Sequence, residues 1–180
     1  MTAALYHAAV ERCDECGFAY DLDGAATAGA AIVDAVAELG AILVDPGSDP
    51  GTRREPTTWS PLEYGCHVRD VLLVQRERVL TALRVERPSF PPMGRDERVD
   101  HDGYADQEPA DVARQLTDAA LLFANVLARL TPDAWDRTVM YNFPELSERS
   151  LRWVAVHTVH EVQHHLLDAR RQVSADDLSP

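Results

Sequence analysis

Lysine is missing from this chain: all 17 basic side chains are arginines, set against 30 carboxylates in 180 residues. The net charge of −13 excludes a phosphate backbone or an anionic membrane surface as the main target. Nucleic acid and membrane are therefore not expected partners, whereas a small-molecule substrate is compatible with this charge. Together with heavy use of alanine, valine, aspartate and arginine, the missing lysine reads as the coding bias of a GC-rich genome. Cysteine is scarce, with only three, so a four-cysteine metal site is impossible. No stretch is read as approaching the length of a membrane span, and the segment Met1 to His7 lacks the basic start and apolar run of a signal peptide. A cytoplasmic protein is the resulting expectation. There is no Gly-x-Ser-x-Gly elbow, no Ser-His-Asp order, no phosphate-binding glycine loop and no dinucleotide fingerprint, which sets those enzyme classes aside. Internal repeats and low-complexity tracts are also lacking.

No convincing run alternates with period two, and four segments carry helical patterning instead. The first spans about 24–44, with Ile32, Val33, Val36, Leu39, Ile42 and Leu43 on one stripe. The second opens at Ser60-Pro61-Leu62-Glu63, a capping box with proline in the first turn, and runs to about Val85. The third covers about 109–130, with Val112, Leu116, Ala119, Ala120, Phe123, Val126 and Leu127 at helical spacing, until Thr131-Pro132-Asp133 ends it. The fourth begins at Ser147 or Ser150 and reaches Val173. Four such helices predict an all-α, antiparallel four-helix bundle with long links at 45–59 and 86–108. A shorter link from Trp135 to Leu146 has room for a small hairpin or a cover over the bundle end. The chain divides into an arm, 1–23, a bundle, 24–173, and a tail, 174–180.

The fourth helix holds four of the chain's seven histidines within the nine residues from His157 to His165. At about 100° per residue, His157, His160 and His164 fall within roughly 60° of one another, with Glu161 beside them. Imidazole is the commonest protein ligand for transition metals, and two at i and i+4 reach one ion. His160 and His164 have that spacing, but so do His157 with Glu161 and Glu161 with His165. A polar helix face is the plain alternative. A third ligand must come from elsewhere, and His67, one turn after Glu63, is the candidate. Glu161, Asp70 and Glu63 read as acceptors for the imidazole N–H groups rather than as ligands.

One histidine near the start of the second helix, followed much later by His-x-x-x-His on the last, resembles the DinB-like superfamily of four-helix metal-binding bundles. The segments Trp59 to Asp70 and Trp153 to Asp168 carry the resemblance, which covers about 24–173. That superfamily includes thiol-dependent S-transferases and mycothiol-dependent maleylpyruvate isomerases. The resemblance implies a metal site of His67, His160 and His164, for zinc or nickel, with open positions for water or a thiol. It also implies a homodimer as an assembly. Three neutral imidazoles would leave the charge of the ion intact, so a bound water or thiol ionises near neutral pH. The expected activity is thus a divalent-metal-dependent thiol S-transferase or isomerase with a low-molecular-weight thiol such as mycothiol. A metal-dependent hydrolase on the same residues and a non-catalytic metal-binding bundle are the alternatives. Arg69, Arg95 and Arg152 are candidates for holding a substrate carboxylate.

The segment Cys13-Asp-Glu-Cys16-Gly17 resembles half of a zinc ribbon, but the other half is missing. A mixed site would have to recruit His7 or the Cys66-His67 pair. A redox pair is the competing reading, without the strand-turn-helix setting that such pairs have. The plain expectation is a reduced, partly buried thiol pair, with Cys66 serving packing.

Overall fold

The computed structural model describes residues 12–142 and 145–173, so His7 and the tail 174–180 lie outside the described residues. A 3-10 turn over Leu22–Thr27 leads into α1 (Ala28–Leu43). Helix α2 (Pro61–Ala82) starts on the expected capping box: Ser60 Oγ accepts from the Glu63 N–H, and the Glu63 carboxylate accepts from the Ser60 N–H at 2.8 Å. A short α3 (Arg95–His101) interrupts the second long link, ahead of α4 (Pro109–Leu127). Thr131 caps the single turn α5 (Pro132–Trp135). The link to the last helix holds an antiparallel hairpin of β1 (Thr138–Asn142) and β2 (Leu146–Ser150), with Thr138 opposite Ser150. Of the two serines offered as a start for α6 (Leu151–Val173), Ser150 serves: its Oγ accepts from the Trp153 N–H, and Ser147 lies in β2.

The all-α four-helix bundle read from the sequence is the architecture observed. Around the bundle the order is α1, α4, α2, α6, with consecutive α1 and α2 placed across the diagonal. Helix directions follow from matched contacts. A methyl group at Gly29 would sit 3.2 Å from Ala124 Cβ and one at Gly40 3.8 Å from Ala113 Cβ, so α1 and α4 are antiparallel. Tyr64 and His67 near the start of α2 meet His165 late in α6, and that pair is antiparallel as well. Gly65 faces Val112, and Arg69 donates to Gln115 at 2.7 Å, which makes α2 and α4 parallel neighbours. Parallel helices cannot be joined by a tight turn, because the chain must travel back along the bundle before re-entering. The link 83–108 is long for that reason.

The patterned apolar positions fill the centre: Ile32, Val36, Leu39, Val112, Leu116 and Phe123 are buried with Leu72, Val154 and Val162. Val33, Ile42 and Val126 are half-buried against them. The run Leu22–Leu43, with mean hydropathy 1.6, is long and apolar enough to cross a membrane, which corrects the reading that no stretch approaches that length. Its alanines raise hydropathy with little bulk, and in the fold it forms a wall of the bundle against α4 and α6.

Helix α2 also buries charge. Asp70, 4% exposed, accepts from Arg69 Nε at 2.8 Å, from the Tyr104 hydroxyl at 2.7 Å and from Arg98 at 3.1 Å. Arg69 continues to Gln107 and Gln115. Asp70 is thus the clamp that ties the long link to the bundle, rather than an acceptor for a ligand histidine. Removing one partner from a buried ion pair strands the others, at about 3–5 kcal/mol. Asp70→Ala is expected to lower the unfolding free energy by that order in denaturant titrations; a loss below about 1 kcal/mol, the range of surface pairs, would refute the clamp.

Candidate metal centre

Helix α6 is buried from Trp153 to Val159 and mostly half-buried beyond, and its histidine-rich stretch meets α2 on one side and the N-terminal arm on another. Consecutive residues are turned by about 100°, so His160 with His164 and Glu161 with His165 form two adjacent stripes that look in different directions. The second stripe meets α2: ligand atoms of His67, Glu161 and His165 all lie within 4.8 Å of one another. The first meets the N-terminal arm: His160, His164, Cys13 and Cys16 form another such group. His67, His160 and His164 do not come together as one group among the described residues; His67 is on the α2 side and the other two are on the arm side.

His67 is buried, and its Nδ1 has no hydrogen-bond partner. A buried, unpaired imidazole nitrogen beside another imidazole and a carboxylate is the polarity a cation would satisfy. Burial, and then the neighbouring His165, push the His67 pKa down to about 4, which leaves its ring neutral at neutral pH. The His165 ring lies 4.9 Å from the His67 ring and stacks on Tyr64. Its Nε2 is 3.9 Å from Glu161 Oε2, while its Nδ1 is 3.2 Å from Asp168 Oδ2. That is the carboxylate-histidine arrangement that orients a ligating ring. Glu161 Oε1 turns away, 3.7 Å from His157 Nε2 and 3.6 Å from His160 Nδ1. Burial works to raise the Glu161 pKa, but contact with His160 and the nearby His157 and His165 outweigh it and hold the carboxyl well below its ordinary range. Glu161 is therefore anionic. Trp59, with its ring 5.2 Å from that of His67, and Tyr64 wall the group, and the Arg95 guanidinium lies over Trp59. Two surface grooves open elsewhere, one beside Phe90 and Met93 and one beside Phe18 and Glu38; neither is lined by His67, Glu161 or His165.

On the opposite stripe, Cys13 Sγ is 3.7 Å from His164 Nδ1. The Tyr20 oxygen lies 2.9 Å from His157 Nδ1 and 2.8 Å from His160 Nδ1. His164 Nε2 is 3.3 Å from Glu15 and 3.5 Å from Asp168, so Asp168 reaches a histidine of each group. The Cys16 N–H chiefly lowers the Cys13 pKa to about 6, while burial raises that of Cys16. Cys66 takes no part: it is buried with its thiol 3.8 Å from the Tyr104 carbonyl, and burial pushes it up to about 12. Glu63 is held by Arg53 and the capping box, and Arg69 by Asp70, so neither faces the ligand groups.

The sequence contained a signal for the α2-side group, since Glu161 and His165 have the same spacing as His160 and His164. Asp168 and Tyr20 had none, because acting through another side chain leaves no spacing pattern.

A family model described as the DinB superfamily matches residues 26–169. No curated protein matches. Among solved structures the chain is similar to YfiT from Bacillus subtilis, with 16% identity and a TM-score of 0.71 over 84% of this chain and 89% of that one. YfiT is described as a probable metal-dependent hydrolase with an unusual four-helix bundle topology. At that identity the likeness fixes the fold.

If Asp168 orients His165, Asp168→Ala weakens metal binding by about 10–100-fold, the usual effect of losing such an acceptor, while leaving helix content unchanged. Competition titration with a chromophoric chelator measures this, and an affinity equal to the parent protein's would remove Asp168 from the site.

Proposed function

From the premise that the chain belongs to the DinB superfamily, we propose that it is a divalent-metal-dependent enzyme, best matched to a hydrolase, with His67, Glu161 and His165 as ligands. The observation that carries this is the convergence of two imidazoles and one carboxylate where α2 meets α6, with a buried His67 nitrogen left unpaired. Two histidines and a glutamate are the donor set of several catalytic zinc sites, in which three protein ligands leave a position open. When bound, such an ion supplies a Lewis acid and makes a bound water acidic enough to serve as a nucleophile near neutral pH.

The chain's own groups do the rest. His67 stays neutral and available because it is buried. His165 is turned by Asp168 so that its other nitrogen looks toward Glu161. Glu161 contributes charge through Oε2 while Oε1 rests near His157. The rings of Trp59 and Tyr64 pack beside the group, against His67 and His165 respectively. Arg95, over Trp59 and paired with Asp96, is the arginine beside the group that could meet an anionic part of a small-molecule substrate; Arg152 lies over Trp135 and pairs with Asp136. Zinc suits the donor set; nickel remains the second expectation from the resemblance, and a cytoplasmic location fits a bundle whose apolar first helix turns Ile32, Val36, Leu39 and Leu43 into the core.

Thiol transfer uses the same residues and differs only in needing a low-molecular-weight thiol such as mycothiol. The test is a screen of tag-free, zinc-loaded protein against chromogenic esters and amides, and against electrophiles with and without added thiol. Turnover that chelation removes, and that His165→Ala lowers by more than about 100-fold, beyond the outer-sphere range, is the expected outcome. Turnover without thiol supports the hydrolase, and turnover only with thiol replaces it with the transferase. Metal bound by the parent protein but untouched by His67→Ala and His165→Ala would overturn the ligand assignment itself.

A further inference from the structure

The arm-side group is separate from the α2-side ligands, and its chemistry is different. Cys13-Asp-Glu-Cys16-Gly17 makes a tight reversal: the Gly17 N–H donates to the Cys13 carbonyl at 2.8 Å, and the Cys13 N–H donates to the Phe18 carbonyl at 2.9 Å. Gly17 has φ of +73°, a conformation that strains residues with a side chain, and Arg12 bridges to Ala19 across the turn. The reversal brings both sulfurs to the same side, facing α6. There His160 and His164, one turn apart, offer a ring nitrogen each, and the four ligand atoms lie within 4.8 Å of one another.

We propose that Cys13, Cys16, His160 and His164 form a tetrahedral zinc site that fastens the N-terminal arm to α6. Zinc bonds of about 2.3 Å to sulfur and about 2.0–2.1 Å to nitrogen, at tetrahedral angles, place ligand atoms about 3.3–3.8 Å apart. The 3.7 Å between Cys13 Sγ and His164 Nδ1 falls in that range before any adjustment. Each histidine also has its other nitrogen occupied. His164 Nε2 faces the Glu15 and Asp168 carboxylates, which leaves Nδ1 for the ion. His160 Nδ1 is held by Tyr20, and its Nε2 is buried with no hydrogen-bond partner. Outer partners on both ligand rings and a buried, unpaired His160 nitrogen in one group with two thiols are what a structural zinc site requires and what a surface thiol pair does not. Two thiolates and two imidazoles select zinc among the common divalent ions. They also close the coordination shell, so this ion takes no substrate. A two-iron cluster with the same donors would hold its cysteines and histidines on different irons, which the 3.7 Å contact does not allow.

The pair that sequence spacing alone would have sent to His7 or Cys66 is therefore served by the fourth helix. Its four ligands differ from those of the proposed catalytic ion, but Asp168 lies beside a histidine of each group and Glu161 is 3.6 Å from His160 Nδ1, so the two sites are told apart by the thiolate band, which only the cysteines produce. Binding would tie residue 13 to residue 164 across 151 positions, a long closure of the kind from which a cross-link gains most.

The experiment uses the full chain without a histidine tag, purified under reducing conditions. Metal per chain is measured by elemental mass spectrometry, and cobalt-loaded protein by absorption. The parent chain should show a thiolate-to-cobalt charge-transfer band and the strong visible bands of tetrahedral cobalt. Cys13→Ser with Cys16→Ser should lose the charge-transfer band and one equivalent of metal, and the arm should become more readily cleaved by protease. His67→Ala should keep the band in full while losing the other equivalent, which guards against a cysteine variant that fails to fold. A parent chain or a His67→Ala variant without the thiolate band would overturn the proposal, as would metal content unchanged by removal of both cysteines.

Discussion

The rotation of α6 about its own axis is the constraint on which everything near the ligand groups depends. A helix that buries Val154, Thr158, Val162, Leu166 and Ala169 against the bundle has little freedom to turn, and the Thr158 hydroxyl is satisfied by the Val154 carbonyl within the same helix. That phase sends Glu161 and His165 toward α2 and His160 and His164 toward the arm. A change of one residue in register would break both groups: turning His160 and His164 toward His67 would bring Val159 and Gln163 to the cysteines. Asp168 sits at the seam between them, with Oδ2 near both His164 and His165 and Oδ1 near Arg171.

The surrounding bundle makes that phase reproducible by pairing most of the polar side chains that α2 buries. Glu63, Asp70, Arg69 and Gln75 are all buried on α2, yet each is engaged: by the capping box and Arg53, by the Asp70 clamp, or by the Tyr141 hydroxyl, to which Gln75 donates its amide N–H at 2.8 Å. The hairpin closes the end of the bundle through the same tyrosine, whose ring packs edge-on against Trp153 and His157. Unpaired groups buried in this way would cost on the order of 1–3 kcal/mol each. Arg76, Arg78, Trp153 and Gln172 each bury one unpaired polar atom, as His67 and His160 do, but only the two imidazole nitrogens belong to groups of ligand atoms close enough to share an ion.

Much of the fold is legible in the sequence because helix limits are written locally. Ser60 with Glu63, Pro109 at a first turn, and apolar residues at helical spacing in α1 and α4 each act within a few positions. The hairpin was legible only as a link of suitable length, since β2, Leu-Ser-Glu-Arg-Ser, is polar and has no buried face. Helix α3 buries none of its residues and so carries no periodic apolar signal. The ligand groups were partly legible. Spacing announces that α6 carries pairs at i and i+4, but three overlapping pairs satisfy it, and choosing among them needs the angle at which α6 meets α2. The partnership of Cys13 with His164 spans 151 positions and is set by packing alone. Asp70 looked like an acceptor for a histidine because it lies one turn beyond His67, but Arg98 and Tyr104, which join Arg69 around it, come from a distant segment.

Tyr20 joins the two sides of α6 in a further way. Its hydroxyl has a single proton, and it touches Nδ1 of both His157 and His160. It can donate to only one, so the other ring must bring its own N–H. The two imidazoles cannot both offer a lone pair to Tyr20. If the Tyr20 proton goes to His160, His157 must carry hydrogen on Nδ1, which leaves its Nε2, the atom that faces Glu161, as an acceptor. Zinc on His160 Nε2 would put that ring's hydrogen on Nδ1, toward Tyr20, and release the tyrosine proton from His160, so a shared hydroxyl links one face of the helix to the other without any backbone atom moving.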